Sequence, residues 1–225
     1  MTESERIIDF VVAGDMGYQD GVDWQRRIVA DMAADPDRAG TILIVEHRPV
    51  ITCGRSGDGS NLLVPPEELA KAGIEFHPAG RGGDVTYHGP GQWTVYPMLR
   101  LSWFERDLHR YLRLLEECVI RFLIGYGVQG GRRPGLTGVW VDGGKLAAVG
   151  VAVSRWVTWH GFALNIHPDL SRFTRYMHPC GITAQEGSVA SLDGLTGIRH
   201  EMDEVLPDLK KAILEVLSLS ERKTA

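Results

Sequence analysis

Residues 81–92, with the sequence RGGDVTYHGPGQ, place the strongest constraint on how this chain folds. The segment contains four glycines and one proline, so it cannot bury an apolar face. Its glycines are useful mainly where a backbone turns tightly or approaches another group closely. Residues 92–101 follow it with an alternating pattern that predicts a strand. A polar loop held by a strand favours a binding site on a rigid scaffold, and an ordinary surface turn is the alternative.

Strands and helices are predicted along the whole chain. Apolar or alternating runs predict strands at residues 7–12, 41–47, 49–53, 74–77, 92–101, 139–141, 146–153 and 157–166. Helices are predicted at residues 23–33, 103–125 and 203–219, and a short one opens at Pro65-Pro66. Hairpins outnumber strand–helix–strand units, so we expect an α+β fold, a mixed β-sheet with flanking helices, rather than a doubly wound parallel sheet. Without repeats or a long linker, the 225 residues are expected to form one domain, residues 1–225.

The longest predicted helix, residues 103–125, has a defined start in the sequence. Ser102 and Glu105 have the spacing of a capping box, in which two side chains satisfy each other's backbone amides. Residues 125–130 then match the string GxGxxG, but they follow a helix instead of a strand. Because a dinucleotide-binding loop needs a strand before it and a helix after it, this string predicts no dinucleotide site.

The composition argues against several classes of function. The chain has 24 Lys and Arg against 29 Asp and Glu, a net charge of -5, so no nucleic-acid partner is expected. No apolar run approaches the ~18 residues of a membrane helix. The start MTESERIIDF lacks the apolar core of a signal peptide, so we expect no membrane association and a cytoplasmic location. The histidines and cysteines show neither HExxH nor zinc-finger spacing, so no metal and no other cofactor is expected.

The three cysteines form no paired framework, which indicates a reducing compartment, and they differ in their surroundings. Cys118 falls on the apolar side of the long helix and is predicted to be a core residue. Cys53 ends an apolar strand, where packing is favoured over exposure. Cys180 lies between Pro179 and Gly181 in an irregular segment. A thiol on a stiff, exposed loop is of the reactive kind, so Cys180 is a candidate nucleophile.

A nucleophilic thiol needs a base or a cation that favours the thiolate. Lys145 is the candidate, because it opens an apolar strand directly after the Gly143-Gly144 turn, and a solvated turn lysine is the simpler alternative. No spacing rule joins it to Cys180, 35 positions away. His88 either orients a substrate or holds the glycine-rich loop. His160, within a predicted strand, is expected to be a hydrogen-bonded core or wall residue.

Four segments together resemble one known family. They are RGGDVTYHGPGQ at 81–92, GGKLAAVGVAV at 143–153, HGFALNI at 160–166 and PCGI at 179–182. In this order they resemble the lipoyl(octanoyl) transferases of lipoate biosynthesis, the LipB family. The segment LIVEHRPVITCGRSGDGSNLL at 43–63 is similar to that family as well. The resemblance covers roughly residues 7–195 and shows no departure at the motif cores.

The resemblance implies a fold, a catalytic pair and a substrate-binding surface. The fold is that of the biotin and lipoate protein ligases. The catalytic pair is Cys180, which would carry an acyl thioester, and Lys145, which would lower the pKa of that thiol and move protons. The substrate-binding residues would be Arg81, Gly82, Gly83, Asp84, Val85, Thr86, Tyr87, His88, Ala148, Val149, Gly150, Gly161, Phe162 and Ala163.

The activity that the resemblance implies is acyl transfer. The Cys180 thiolate would take an octanoyl group from octanoyl-acyl carrier protein, and a lysine of a lipoyl carrier domain would then accept it as an amide. The acceptors would be the lipoyl domains of 2-oxoacid dehydrogenase complexes and the glycine cleavage H protein. Small residues would leave room for the eight-carbon chain, namely Gly82, Gly83, Ala148, Gly150, Gly161 and Ala163.

Three other functions stay open from the sequence. An ATP-dependent lipoate protein ligase would share the fold and the lysine but would not need Cys180. A non-catalytic acyl-binding protein would gain no acyl mass on Cys180. A thioesterase would form the same adduct and release free octanoate without an acceptor domain.

Overall fold

The computed structural model describes residues 6–178 and 187–222, and Cys180 lies outside them. The strands within these ranges are β1 Ile7–Met16, β2 Gly40–His47, β3 Val50–Cys53, β4 Glu75–Pro78, β5 Val85–His88, β6 Gln92–Met98, β7 Val139–Val141, β8 Gly144–Ser154, β9 Val157–Asn165, β10 Ser188–Val189 and β11 Ser220–Glu221. The α-helices are α1 Tyr18–Ala34, α2 Pro66–Lys71, α3 Leu108–Ile124, α4 Ser171–Tyr176, α5 Leu192–Thr196 and α6 Met202–Leu217. No helix in this part of the chain is both long enough and apolar enough to cross a membrane.

The strands form two sheets of mixed direction. The large sheet has the order β10-β8-β9-β6-β2-β1-β11, and β7 also pairs with β8. Strands β2, β6, β9 and β8 are successively antiparallel, whereas β1 is parallel to both β2 and β11. The small sheet has the order β4-β3-β5, with β4 parallel and β5 antiparallel to β3. The predicted α+β class, a mixed sheet with flanking helices, is therefore confirmed.

Successive side chains of a strand point to opposite faces of the large sheet, and different helices cover the two faces. In β2, Ile42 and Ile44 join the core beneath α3 and α6, while Leu43 and Val45 pack under α1. All four side chains are fully buried. Because both faces of this strand are covered, its sequence is a continuous apolar run and not an alternating one.

The small sheet has one apolar and one polar face. Val85 and Tyr87 of β5 pack with Ile51 of β3 and with helices α2 and α4. The alternate residues of β5, Thr86 and His88, line the space between the two sheets. The polar face of the small sheet is therefore turned toward the large sheet.

The prediction that residues 81–92 form a continuous loop is wrong. The central residues 85–88 are β5, which pairs with β3. Val, Thr and Tyr have high strand propensity, and four such positions suffice for a strand when a partner lies beside them. Because glycines flank this short run on both sides, the sequence pattern did not predict a strand here.

The long helix α3 starts later than predicted. A short 3-10 helix, Leu101–Phe104, comes first, and Glu105 and Arg106 then adopt left-handed backbone conformations with φ of 60° and 55°. Asp107 is the N-cap, and its carboxylate accepts hydrogen bonds from the amides of residues 109 and 110 at 2.9 and 3.1 Å. The predicted capping box of Ser102 and Glu105 is therefore wrong, because an Asp nearer the helix forms the cap.

Strand β9 passes very close to β6 at Gly161. A Cβ atom on this residue would lie 2.1 Å from the carbonyl oxygen of Val95 and 2.6 Å from Cδ of Pro97. The preceding residue, His160, has a positive φ of 56° inside the strand. Glycine at 161 is thus required by the contact between two strands, whether or not a ligand also uses the space.

We expect Gly161→Ala to lower the free energy of unfolding by at least ~2 kcal/mol, because the added methyl group overlaps backbone atoms that cannot move independently. Gly82→Ala is the matched control, since a Cβ there would meet nothing closer than Val151 O at 3.9 Å. Urea titration of both variants measures the difference. Equal stabilities for the two would contradict this account of Gly161.

Candidate active site

A cavity of about 260 Å³ lies between the two sheets. Its walls come from β5 of the small sheet, from β6, β8 and β9 of the large sheet, and from Tyr18 at the start of α1. The lining includes exposed residues such as Ser56 and Leu136 and buried residues such as Tyr96 and His160. The cavity therefore connects solvent with the interior of the protein.

Most of the residues predicted to bind substrate line this cavity. They are Arg81, Gly83, Asp84, Thr86, His88, Ala148, Val149, Gly150, Gly161, Phe162 and Ala163. Lys145 lines it as well. The fold thus brings together residues that lie up to 82 positions apart in the sequence, from Arg81 to Ala163.

Three of the predicted substrate-binding residues do not line the cavity. Val85 and Tyr87 point into the apolar side of the small sheet, where the Tyr87 ring lies 5.1 Å from that of Phe173. Gly82 is turned to β8, and its amide donates a hydrogen bond to Val151 O at 3.0 Å. The twofold alternation of β5 explains the first two cases, since only every second residue faces the ligand space.

The cavity also has lining residues that the sequence analysis did not select. They are Tyr18, Ser56, Thr94, Tyr96, Gly135, Leu136 and Thr137. His160, expected to be a core or wall residue, is a wall residue here. Thr94 and Tyr96 carry a usable signal, because they alternate with buried apolar residues in a predicted strand. Tyr18 carries none, since its role depends on where α1 packs.

The guanidinium of Arg81 organises the polar side of the cavity. Its Nη2 donates to both the carbonyl oxygen and Oγ1 of Thr52, at 2.9 and 2.7 Å, and its Nη1 donates to Gly82 O at 3.1 Å. The Thr52 hydroxyl lies 3.5 Å from Nε2 of His88. Arg81 therefore ties β3 to the segment before β5 and still presents a positive charge to the ligand space.

A chain of hydrogen bonds sets the tautomer of His88. The side-chain amide nitrogen of Gln92 donates a hydrogen bond to Asn165 Oδ1 at 2.8 Å. The side-chain oxygen of Gln92 therefore faces His88. Nδ1 of His88 then donates to that oxygen at 2.8 Å, which leaves Nε2 as the acceptor. Asn165 in turn donates to Ala190 O, and Ala190 N donates to Lys145 O, each at 3.0 Å. The polar side of the cavity is thus linked to the backbone of Lys145.

Three buried histidines around the cavity are held neutral. Burial lowers the pKa of His47 to about 4 and those of His88 and His160 to about 3. The positive charge of Arg81 lowers the pKa of His88 and His160 further. His47 Nε2 lies 2.8 Å from the Tyr96 hydroxyl. Among residues 6–178 and 187–222, no group of three or more His, Cys, Asp or Glu side chains is placed to hold a metal ion.

Two polar atoms of buried residues that line the cavity lack hydrogen-bond partners among the described residues. They are Oη of Tyr18 and Nε2 of His160. Buried polar groups in folded proteins are nearly always paired, with protein, water or a ligand. Burial also raises the pKa of Tyr18 to about 12, so its hydroxyl is a neutral donor. This end of the cavity is therefore polar but uncharged.

Lys145 is buried, and the simpler expectation of a solvated turn lysine is wrong. Only 7% of the residue is exposed, and its Nζ lies 5.4 Å from the centre of the Trp140 ring. Strand β7 pairs with β8 on one side of Lys145 and β10 pairs on the other, opposite Trp140 and Val189. Strand β8 begins at Gly144, so Lys145 is the second residue of a strand and not part of the turn.

The two described cysteines are poor nucleophiles. Cys118 is fully buried in the core beneath α3, as predicted, and burial raises the pKa of its thiol far above the usual range. Cys53 is half-buried, and burial and then the Asp84 carboxylate raise the pKa of its thiol. Both environments disfavour the thiolate, the form that attacks a carbonyl carbon. Neither residue is suited to act as a nucleophile, the role predicted for Cys180.

Comparison with known proteins places the chain in a family. Residues 17–214 match the lipoyl protein ligase A/B catalytic domain. Octanoyltransferase from Gloeobacter violaceus is 49% identical over 175 residues, 78% of this chain and 76% of that protein. Octanoyltransferase from Solibacter usitatus is 47% identical, over 85% of this chain and 84% of that protein. The chain belongs to the lipoyl protein ligase A/B family. Within that family its relatives are octanoyltransferases, and it is an acyltransferase.

Solved structures show the same fold at much lower sequence identity. A bipartite lipoate protein ligase from Thermoplasma acidophilum has a TM-score of 0.69 and 16% identity, covering 98% of this chain and 86% of that chain. Biotin protein ligase from Aquifex aeolicus in complex with biotin and ATP has a TM-score of 0.55 and 14% identity, covering 93% and 70%. The expected biotin and lipoate protein ligase fold is confirmed.

The neutral histidines predict how stability depends on pH. Histidine in the unfolded chain takes up a proton below about pH 6.5, whereas folded His88 resists protonation down to about pH 3. The unfolded state then binds more protons, so the free energy of unfolding falls as the pH drops from about 6.5 toward 4.

Calorimetry at pH 5 in buffers of different ionisation enthalpy measures proton uptake on unfolding. We expect His88→Gln to take up about one proton fewer than the wild type. Equal uptake would show that His88 is charged in the folded protein.

Proposed function

We propose that the protein transfers an octanoyl group from octanoyl-acyl carrier protein to a lysine of a lipoyl carrier domain, through a thioester on Cys180. The observation that carries this proposal is Lys145, a buried lysine on the wall of a cavity in a chain of the octanoyltransferase family. A lysine amine is a general acid–base group, and on this wall it lies where it can exchange protons with a bound substrate.

In the first half-reaction, the thiolate of Cys180 attacks the carbonyl carbon of the donor thioester. The tetrahedral intermediate collapses and the C–S bond to the carrier breaks, so the octanoyl group is left on Cys180 and the carrier leaves as a thiol. One thioester replaces another, so the step is close to balanced. The proton that the leaving thiolate needs comes from Lys145, which received it from Cys180.

In the second half-reaction, the amine of an acceptor lysine attacks the Cys180 thioester. An amide forms, the C–S bond to Cys180 breaks, and the amine loses a proton to Lys145, which returns it to the sulfur. This step runs downhill because an amide is more stable than a thioester. Strand β10 begins eight positions after Cys180 and pairs beside Lys145, which is compatible with cooperation between the two residues.

The cavity is suited to an acyl chain. Ala148, Val149, Phe162 and Ala163 give it apolar walls, and the buried imidazoles of His88 and His160 are uncharged. An eight-carbon chain in this space would displace water from the thioester, which protects the acyl-enzyme against hydrolysis. The acceptors that we propose are the lipoyl domains of 2-oxoacid dehydrogenase complexes and the glycine cleavage H protein. The Thermoplasma relative is described with its E2 lipoyl domain, which supports an acceptor of this class.

Intact-mass measurement after incubation with octanoyl-acyl carrier protein tests the covalent step. We expect the wild type to gain the mass of one octanoyl group and Cys180→Ala to gain none. Cys53→Ala, which removes the half-buried thiol near Asp84, is the matched control and should gain the group normally. Lys145→Met should form the adduct ~100-fold or more slowly, because the proton acceptor is lost.

Addition of a lipoyl domain without ATP separates the remaining alternatives. We expect the octanoyl group to move from the enzyme to the domain. Release of free octanoate with no transfer would indicate a thioesterase. Full transfer by Cys180→Ala would end the covalent proposal, and a requirement for ATP would indicate a ligase. A wild type that binds the donor without gaining mass would indicate an acyl-binding protein.

A further inference from the structure

The segment between α3 and β7 covers part of the cavity. It carries Gly135, Leu136 and Thr137, which line the cavity on its exposed side, and it ends at Gly138 beside Lys145. Its conformation therefore decides both the shape of this wall and the space left for the lysine. The segment pairs with β7 at Gly131 and Trp140, and on its other side it is bound to α3.

A buried carboxylate, Glu116 of α3, receives hydrogen bonds from both ends of this part of the segment. Its Oε1 accepts from the backbone amide of Gly138 at 2.9 Å. Its Oε2 accepts from Nη1 of Arg113 at 2.7 Å and from Nε of Arg132 at 3.0 Å. The Glu116 side chain is completely buried, whereas those two arginines are 46% and 35% exposed. The segment is thus tied to α3 at two points, Arg132 and Gly138, on either side of the lining residues.

Gly138 transmits this position to Lys145. Its φ is 133°, in the region that favours glycine, and a Cβ there would lie 2.6 Å from both Cε of Lys145 and the carbonyl oxygen of Ala147. No room is left between this backbone and the stem of the lysine. A shift of the residue 138 backbone by a fraction of an ångström therefore moves or frees the lysine side chain.

Stability alone is a weak reason for this arrangement. Apolar residues of similar volume often replace a buried ion pair with no loss of stability, so stability does not by itself account for this buried carboxylate. The Glu116 carboxylate reaches a backbone amide that directly contacts the lysine stem. We infer that Glu116 is a positioning residue for Lys145, acting through the Gly138 amide, and this inference rests on the proposed role of Lys145 in acyl transfer.

The chain provides a matched control in the adjacent residue. Glu117 also binds Arg132, through Nη2 at 2.6 Å, but it is partly exposed and is not in contact with Gly138. Glu116→Gln and Glu117→Gln each remove one carboxylate that Arg132 binds. Only the first removes the charge that holds the Gly138 amide. Because Glu116 also binds Arg113, a difference between them reports on the contacts of Glu116 with Gly138 and Arg113 and not on the loss of a carboxylate from Arg132.

We expect Glu116→Gln to lower kcat for octanoyl transfer about 10-fold, with KM for the donor changed less than about 2-fold, because the lysine is misplaced while the cavity persists. The pH profile of acyl-adduct formation should also shift, since the proton acceptor occupies a new environment. Glu117→Gln should stay within about 2-fold of wild type with an unchanged profile. Equal kcat values and profiles for the two variants would overturn the inference.

Failure of the positioning role and failure of the proposed function give different results. If the wild type forms no octanoyl adduct, the proposed function fails; if it does and Glu116→Gln behaves as Glu117→Gln, only the positioning role fails. Thermal unfolding shows whether Glu116→Gln folds. If it does not, Glu116→Asp takes its place, because the shorter side chain keeps the negative charge but withdraws the carboxylate from the Gly138 amide. An unchanged kcat and pH profile in a folded Glu116→Asp would then overturn the inference.

Discussion

The pairing register of the large sheet is the constraint on which both the core and the cavity depend. Along β6, Trp93 and Val95 join the core beneath α3 and α6, whereas Thr94 and Tyr96 line the cavity. Strand β5, across the cavity, divides its four residues in the same way. A shift of one residue in either strand would exchange the polar and apolar sets, so that hydroxyl and imidazole groups would enter the core. The register that buries the core thus builds the site as well.

The inner end of the cavity combines polarity with neutrality, and this combination suits a hydrocarbon ligand next to a reactive carbonyl group. Charged groups there would hold water, because an ion is costly to bury without its hydration shell. The three imidazoles avoid this by remaining uncharged. The positive charge of Arg81 is engaged with Thr52 of β3, the central strand of the small sheet. An acyl chain can therefore displace water from this end without stripping an ion.

Local sequence patterns predicted those parts of the fold that local interactions determine. The hairpin of β7 and β8 was predictable because Asp142 and Gly143 both adopt positive φ, as a tight hairpin turn requires. The burial of Lys145 was not, since it depends on pairing with β10, more than forty positions away. Tyr18 enters the cavity through the packing of α1 on β9. The roles assigned to Cys180 and Lys145 depended on family resemblance, because no periodicity links residues so far apart.

The placement of Lys145 on a strand gives its flexible side chain the fixed starting point that the proposed reaction needs. Its backbone is paired on both sides, opposite Trp140 and Val189, so the side chain starts from a rigid point. Gly138 then occupies the space beside its stem and restricts its remaining torsions. Removal of an amine from water carries a free-energy cost that a purely structural wall would avoid by using an apolar residue. The buried lysine, more than the cavity itself, therefore distinguishes this site from a pocket that merely holds an acyl chain.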